Sequence, residues 1–133
     1  MKDFSRENRN QMILDLKETA TTLSNLAQEK AKNRELTLEE WMEINKAVSD
    51  LFTEIDKLTI GRLGEISKEL NNSAKKIQAA TTVANNALKT LSDIKKALKI
   101  AKAVVTLALA ITARDLKGIG KSAKSIIDIV NKD

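Results

Sequence analysis

The sequence contains no cysteine, no histidine, no proline and no tyrosine in 133 residues. Without histidine or cysteine there is no imidazole base, no thiolate nucleophile, no disulfide, and none of the usual ligands for zinc, haem or iron-sulfur centres. An enzyme is therefore not expected, nor a cofactor, a bound metal or a small-molecule substrate. The lack of cysteine fits any redox compartment and assigns none. Without proline nothing forces a helix to break. Aromatic residues are limited to Phe4, Trp41 and Phe52, so the core must come from leucine, isoleucine, valine and alanine, which pack between helices better than between sheets. These absences predict an all-α chain, one domain over 1–133, built as a helical bundle or an elongated antiparallel helical hairpin with coiled-coil-like packing and three to four helices. The four glycines, Gly61, Gly64, Gly118 and Gly120, form two pairs that mark bends or breaks.

The opening residues are polar and charged and offer no apolar signal-peptide core, so the expected location is cytoplasmic, or outside the cell by a signal-independent route. The longest strongly apolar stretch, Ala103 to Ala113, would span about 16 Å as a helix, too little to cross a bilayer.

Periodicity places the first helix at about Ser5 to Lys32, with Met12, Leu16, Thr19, Leu23 and Leu26 on one face. Asn33-Arg34-Glu35-Leu36 reads as a turn, and Thr37-Leu38-Glu39-Glu40 as a capping box that starts the second helix. That helix carries Ile44, Val48, Leu51, Ile55 and Leu58 at 4-3-4-3 spacing and reaches Gly61. Beyond Gly64 the same spacing runs through Ile66, Leu70, Ser73, Ile77, Ala80, Ala84, Ala87, Leu91, Ile94, Leu98, Ala101 and Val105. A run of this length predicts one very long third helix, its small central residues letting an antiparallel neighbour, most simply the second helix, approach closely around Ala80. From Asp115 to Val130 a basic amphipathic pattern follows; whether it continues the third helix or folds back at Gly118-Ile119-Gly120 is not fixed by spacing.

Three motif-like strings carry little. Gly118-Ile119-Gly120-Lys121-Ser122 resembles the end of a phosphate-binding loop, but Asp115 stands where its first glycine belongs and no strand precedes it. Gly61-Arg62-Leu63-Gly64 has the spacing of a KH clamp loop without the sheet that module needs. Ser73-Ala74-Lys75-Lys76 sets a serine three residues before a lysine, yet the companion motifs of the penicillin-recognising enzymes are missing. Glu39, Glu40, Glu43, Asp50, Glu54 and Asp56 read as helix-start and solvated acids.

Charge is divided unevenly. Acidic residues outnumber basic ones up to Ile66, whereas from Lys75 to Lys124 only Asp93 and Asp115 oppose eleven cations. Such asymmetry implies an acidic partner, or neutralisation within the fold by the acidic first half. Ala103 to Ala113 is apolar around the whole helix circumference, so it needs cover on every side: either neighbouring helices of its own bundle make it a central core helix, or Val104, Val105, Leu107, Leu109 and Ile111 form an apolar surface for a partner or for lipid. Lys95, Lys96, Lys99 and Lys102 flank it on one side and Arg114, Lys117, Lys121 and Lys124 on the other, as contacts for an anionic partner. In composition this stretch resembles cationic amphipathic membrane peptides and the apolar helical segments of α-helical pore-forming toxins, with no motif shared. The leading expectation is a protein partner or homo-oligomer formed through the seam Ile66, Leu70, Ile77, Ala80, Ala84, Ala87, Leu91, Ile94 and Leu98 and the apolar surface. An anionic membrane comes second. Non-specific nucleic-acid binding comes last, since the basic region has no aromatic residue for stacking and a single arginine.

Overall fold

The computed structural model describes residues 4–60, 68–91 and 93–132, with side chains placed over 10–59, 73–91 and 93–132. Ile66, the side chain of Leu70 and the bend expected at Gly61–Gly64 lie outside these residues. Five helices follow in order: α1 Phe4–Lys32, α2 Leu38–Ile60, α3 Lys68–Thr90, α4 Ile94–Thr112 and α5 Leu116–Asn131. The all-α expectation holds. The expected count of three to four does not, because the long third helix is two helices.

The break lies at Asp93. Its backbone is extended and its side chain accepts a bond from the Lys95 amide at 3.0 Å, so it caps the start of α4. A regular apolar spacing survives the break because α3 and α4 each need their own buried stripe. The next boundary falls at residues 113–115, ahead of the glycine pair. Arg114 sits in the left-handed region at φ 57°, with its amide on the Ile111 carbonyl and the Asp115 amide on that of Ala110. This is a Schellman closure with arginine in the position glycine usually holds. Asp115 then caps α5 by accepting from the Gly118 amide at 3.0 Å. The α1–α2 turn repeats the device, with Arg34 at φ 59° and bonds from Arg34 to Ala31 and Glu35 to Lys30. Its far side is the expected capping box: the Glu40 amide donates to Thr37 Oγ1 and the Thr37 amide to Glu40 Oε1, at 3.1 and 3.0 Å.

Side-chain pairs set the helix directions. Asp15 meets Thr81 and Thr19 meets Asn85, both sixty-six residues apart, so α1 and α3 run parallel. Glu43 with Lys102, and Asp50 with Thr106 along one groove, make α2 and α4 parallel. Lys96 reaches the end of α5, so α4 and α5 are antiparallel. The result is an up-down-up-down-up bundle in which α1 packs on α2 and α3, α3 on α5, and α4 on α2 and α5 with its inner side towards α3 and α1. The expected antiparallel pairing of the third helix with the second is thereby corrected: among the described residues α3 lies between α5 and α1, to which it runs parallel, and only the α4 part of that expected helix packs on α2, also in parallel. In α3 the small residues Ala80 and Ala84 are fully buried and permit the approach of its neighbours.

Candidate functional site

The apolar stretch that governed the sequence reading is largely hidden. Val104, Leu107, Ala108 and Ile111 are buried, Val105 is half-buried, and Leu109 alone among the five expected surface residues stays substantially open, at 48%. Four neighbouring helices give α4 cover on all but one strip, so residues apolar around the circumference find a partner on nearly every side. Val104, Leu107 and Ile111 are core residues and the expected apolar surface is corrected accordingly. The described part of the seam is likewise spent inside the chain: Ile77, Ala80, Ala84 and Leu98 are buried, and Ala87, Leu91 and Ile94 are half-buried against the core.

The cations are what the fold leaves outside. On α4, Lys95, Lys99 and Lys102 follow one another at four and three residues and share a solvent-facing row with Thr106. On α5, Lys117, Lys121 and Lys124 form a second row by the same spacing. Ala103 and Thr106 line a shallow groove with Lys121, Ser122 and Ser125, so the two rows flank the line where α4 and α5 meet. All six lysines are exposed, and so is Arg114 at the α4–α5 turn. Lys96 is the exception among the expected anion contacts. Its Nζ donates to the carbonyls of Val130 and Lys132 at 3.1 and 2.6 Å, satisfying the end of α5 where the helix dipole is negative.

Internal neutralisation accounts for little of this charge. Among the described residues two ion pairs join the acidic first half to the basic second: Glu18 with Lys89 at 2.7 Å and Glu43 with Lys102 at 3.9 Å. Among the described residues no carboxylate lies within 4.0 Å of Lys95, Lys99, Arg114, Lys117, Lys121 or Lys124. Asp128 is the one acid in the row of α5, beside Lys121, Lys124 and Lys132 along a surface hollow.

The remaining motif residues take structural places. Gly118 to Ser122 lie within α5, where the Gly118 amide donates to the Asp115 carboxylate, so a negative charge stands at the helix start where a phosphate would sit. Ser73 is half-buried and Lys76 exposed. Glu40 closes the capping box, and among the described residues no three carboxylates gather as a metal site. Sequence reading missed two features. One is a buried polar layer between α1 and α3, where Thr19 donates to Asn85 Oδ1 and the Asn85 amide donates to the Asp15 carbonyl and Glu18 Oε2 at 3.3 and 3.2 Å. The other is an outward apolar stripe on α2 made by Leu38, Met42 and Phe52. Its signal was present, since these residues share the face opposite Ile44, Leu51 and Leu58. Comparison with family models, with curated proteins and with solved structures finds no match.

Proposed function

We propose that the protein is a non-enzymatic association module whose α4–α5 lysine face docks on an anionic membrane surface. The observation that carries this reading is the run of cations on two adjacent helices, of which Lys95, Lys99, Lys117, Lys121 and Lys124 have no carboxylate partner among the described residues. Lysines are compact point charges on flexible stems, suited to a diffuse field of headgroups rather than to a shaped, bidentate site. The face has no aromatic residue, which further supports a charged surface as partner over base-edge or stacking recognition. Docking takes place at the surface. No described helix is long and apolar enough to cross a membrane, and Val104, Leu107 and Ile111 are not available to lipid while the bundle is closed.

Flotation with vesicles of phosphatidylcholine and phosphatidylserine tests the reading. The protein should float with anionic but not neutral vesicles, lose binding as salt rises, and leave entrapped dye in place. Replacing Lys99, Lys121 and Lys124 together by glutamine should weaken binding by about 3 kcal/mol, more than a hundredfold, at about 1 kcal/mol per lysine near the surface. A folded protein that ignores anionic vesicles, or binds polyglutamate or duplex DNA more tightly than the vesicles, overturns the assignment. Association of the chain with another protein or with itself, the leading expectation from sequence, is favoured by a separate observation, the apolar stripe of α2.

A further inference from the structure

Ser122 is a polar residue of α5 that its own helix does not use. A serine or threonine inside a helix can donate to the carbonyl one turn back, as Thr106 does to Lys102 and Thr112 to Ala108, both at 2.9 Å. Ser122 makes no such bond and has no other partner among the described residues, although it is only 6% exposed. It opens on the hollow between α4 and α5, a space of about 210 Å³ that it lines with Lys121, Ser125, Ala103 and Thr106. A hydroxyl held this deep with nothing to bond is free to donate to whatever enters the hollow.

We infer that this hollow is a binding site for a phosphomonoester group, held by Lys121, Ser122 and Ser125. For its lysines and for a lipid-borne ligand the site rests on the lysine-face reading above. The three residues lie within about 6 Å of rise along α5, and Ser125, like Ser122, has no protein partner among the described residues. They present one ammonium and two hydroxyl donors to the same space, and no carboxylate lines it. Lys124 and Lys132 stand along the adjoining hollow, which shares Lys121 and Ser125; its one acid, Asp128, comes a turn beyond Ser125. A phosphomonoester brings nearly two negative charges and three terminal oxygens, an acceptor for each donor. A carboxylate brings one charge and two oxygens, and a phosphodiester has two free oxygens and a chain leaving on both sides. The space is smaller than the roughly 300 Å³ at which pockets for drug-sized ligands begin, so it takes the phosphate group and leaves the body that carries it outside. Its donors are side chains along the helix rather than loop amides. Asp115, at the helix start, is about 9 Å of rise from Lys121 and does not oppose the anion there.

Two experiments on the full chain test the site and separate a soluble phosphate from a lipid headgroup. In the first, inorganic phosphate is titrated into ¹⁵N-labelled protein at constant ionic strength. The amide signals of Lys121, Ser122 and Ser125 should move saturably, and Ser122→Ala with Ser125→Ala should raise the dissociation constant at least about tenfold, as expected for lost hydrogen bonds to a charged group. In the second, phosphatidylcholine vesicles carry either phosphatidic acid or phosphatidylserine at matched zeta potential. The protein should prefer phosphatidic acid, and the serine pair should abolish that preference while leaving phosphatidylserine binding unchanged, because it alters no charge. Alanine is the better helix former at both positions, and an unchanged circular dichroism spectrum confirms the fold. A serine-dependent response to free phosphate alone supports the site with a soluble ligand, and one to phosphatidic acid alone supports it with a lipid. No response in either experiment, or responses that survive the serine pair, overturn the inference, and intact phosphatidylserine binding then leaves the lysine-face reading standing. Phosphate held through the serines by a protein that ignores phosphatidylserine vesicles supports the site and overturns that reading instead.

Discussion

Asp15 sits at the edge of the polar layer between α1 and α3. Its carboxyl is raised above the ordinary value of 3.8, first by burial, against which bonds from Gln11 and Thr81 act, with the nearby charge of Glu18 adding to the rise. A raised native value means that the folded chain holds this proton to higher pH than the unfolded chain does. In the window from 3.8 up through the raised value the native state binds more protons, so this group's contribution to stability falls as pH increases. Asp15→Asn should remove that decline and leave the protein at least as stable at neutral pH. Urea midpoints of both proteins between about pH 3 and 7 check the slope. Glu54 presents a different cost. It is 4% exposed; Oε2 accepts from Lys57 at 3.2 Å, while Oε1 has no partner among the described residues. Glu54→Met, similar in length and free of that orphan oxygen, should stabilise the fold by about 1 kcal/mol in urea unfolding. Neither residue announced its burial in the sequence. Asp15 and Glu54 each sit in a polar helical context, and only the approach of another element takes them from water.

Helix boundaries were legible where a side chain closes them and obscure where the backbone does. Thr37 and Glu40 carry a reciprocal pattern that reads directly as a start, and the structure has it. Asp93 ahead of Ile94 closes a helix start by the same kind of side-chain cap, but the unbroken apolar spacing from Ile66 to Val105 pointed to continuity. The turn at Asn33–Leu36 after a first helix ending at Lys32 was legible, but the left-handed backbone of Arg34 and Arg114 was not, since a positively charged residue in that position has no compositional mark. Gly118 and Gly120 left a fold-back undecided, and the break falls at Arg114, four residues ahead of Gly118. A side chain on Gly118 would come within 2.5 Å of Asp115 Oδ2, the carboxylate that caps α5, and a Cβ on Gly120 would meet nothing within 4 Å. Gly120→Ala should therefore raise stability by roughly 0.5–1 kcal/mol, and Gly118→Ala should give no gain because the helix loses its cap. Thermal melts of the two variants beside the parent decide it. Asp93→Ala should cost about 1 kcal/mol by the same measurement.

At the scale of the whole molecule, the placement of α4 decides which residues face the outside. A helix flanked by α2 and α5 and backed by α3 and α1 hides its apolar residues while presenting one strip of lysine. Leu107→Ala, at a fully buried site, should cost about 2–5 kcal/mol, whereas Leu109→Ala, on the exposed strip two residues away, should stay within about 0.5 kcal/mol. Chemical denaturation of the pair measures how far the bundle, rather than any partner, covers this helix.

The sequence by itself determined the helical class, the lack of the usual catalytic side chains, the start of α2, and the concentration of cations in the second half. All of these depend on residue type and on neighbours three or four positions apart, the range over which a helix enforces its own period. Only the tertiary structure decided that the seam and the apolar stretch are interior and that α2 carries an unpaired stripe. It also decided that the lysines of α4 and α5 form one face. Burial is fixed by which helices pack against which, and that choice is made between residues far apart in the chain, where local spacing carries no information.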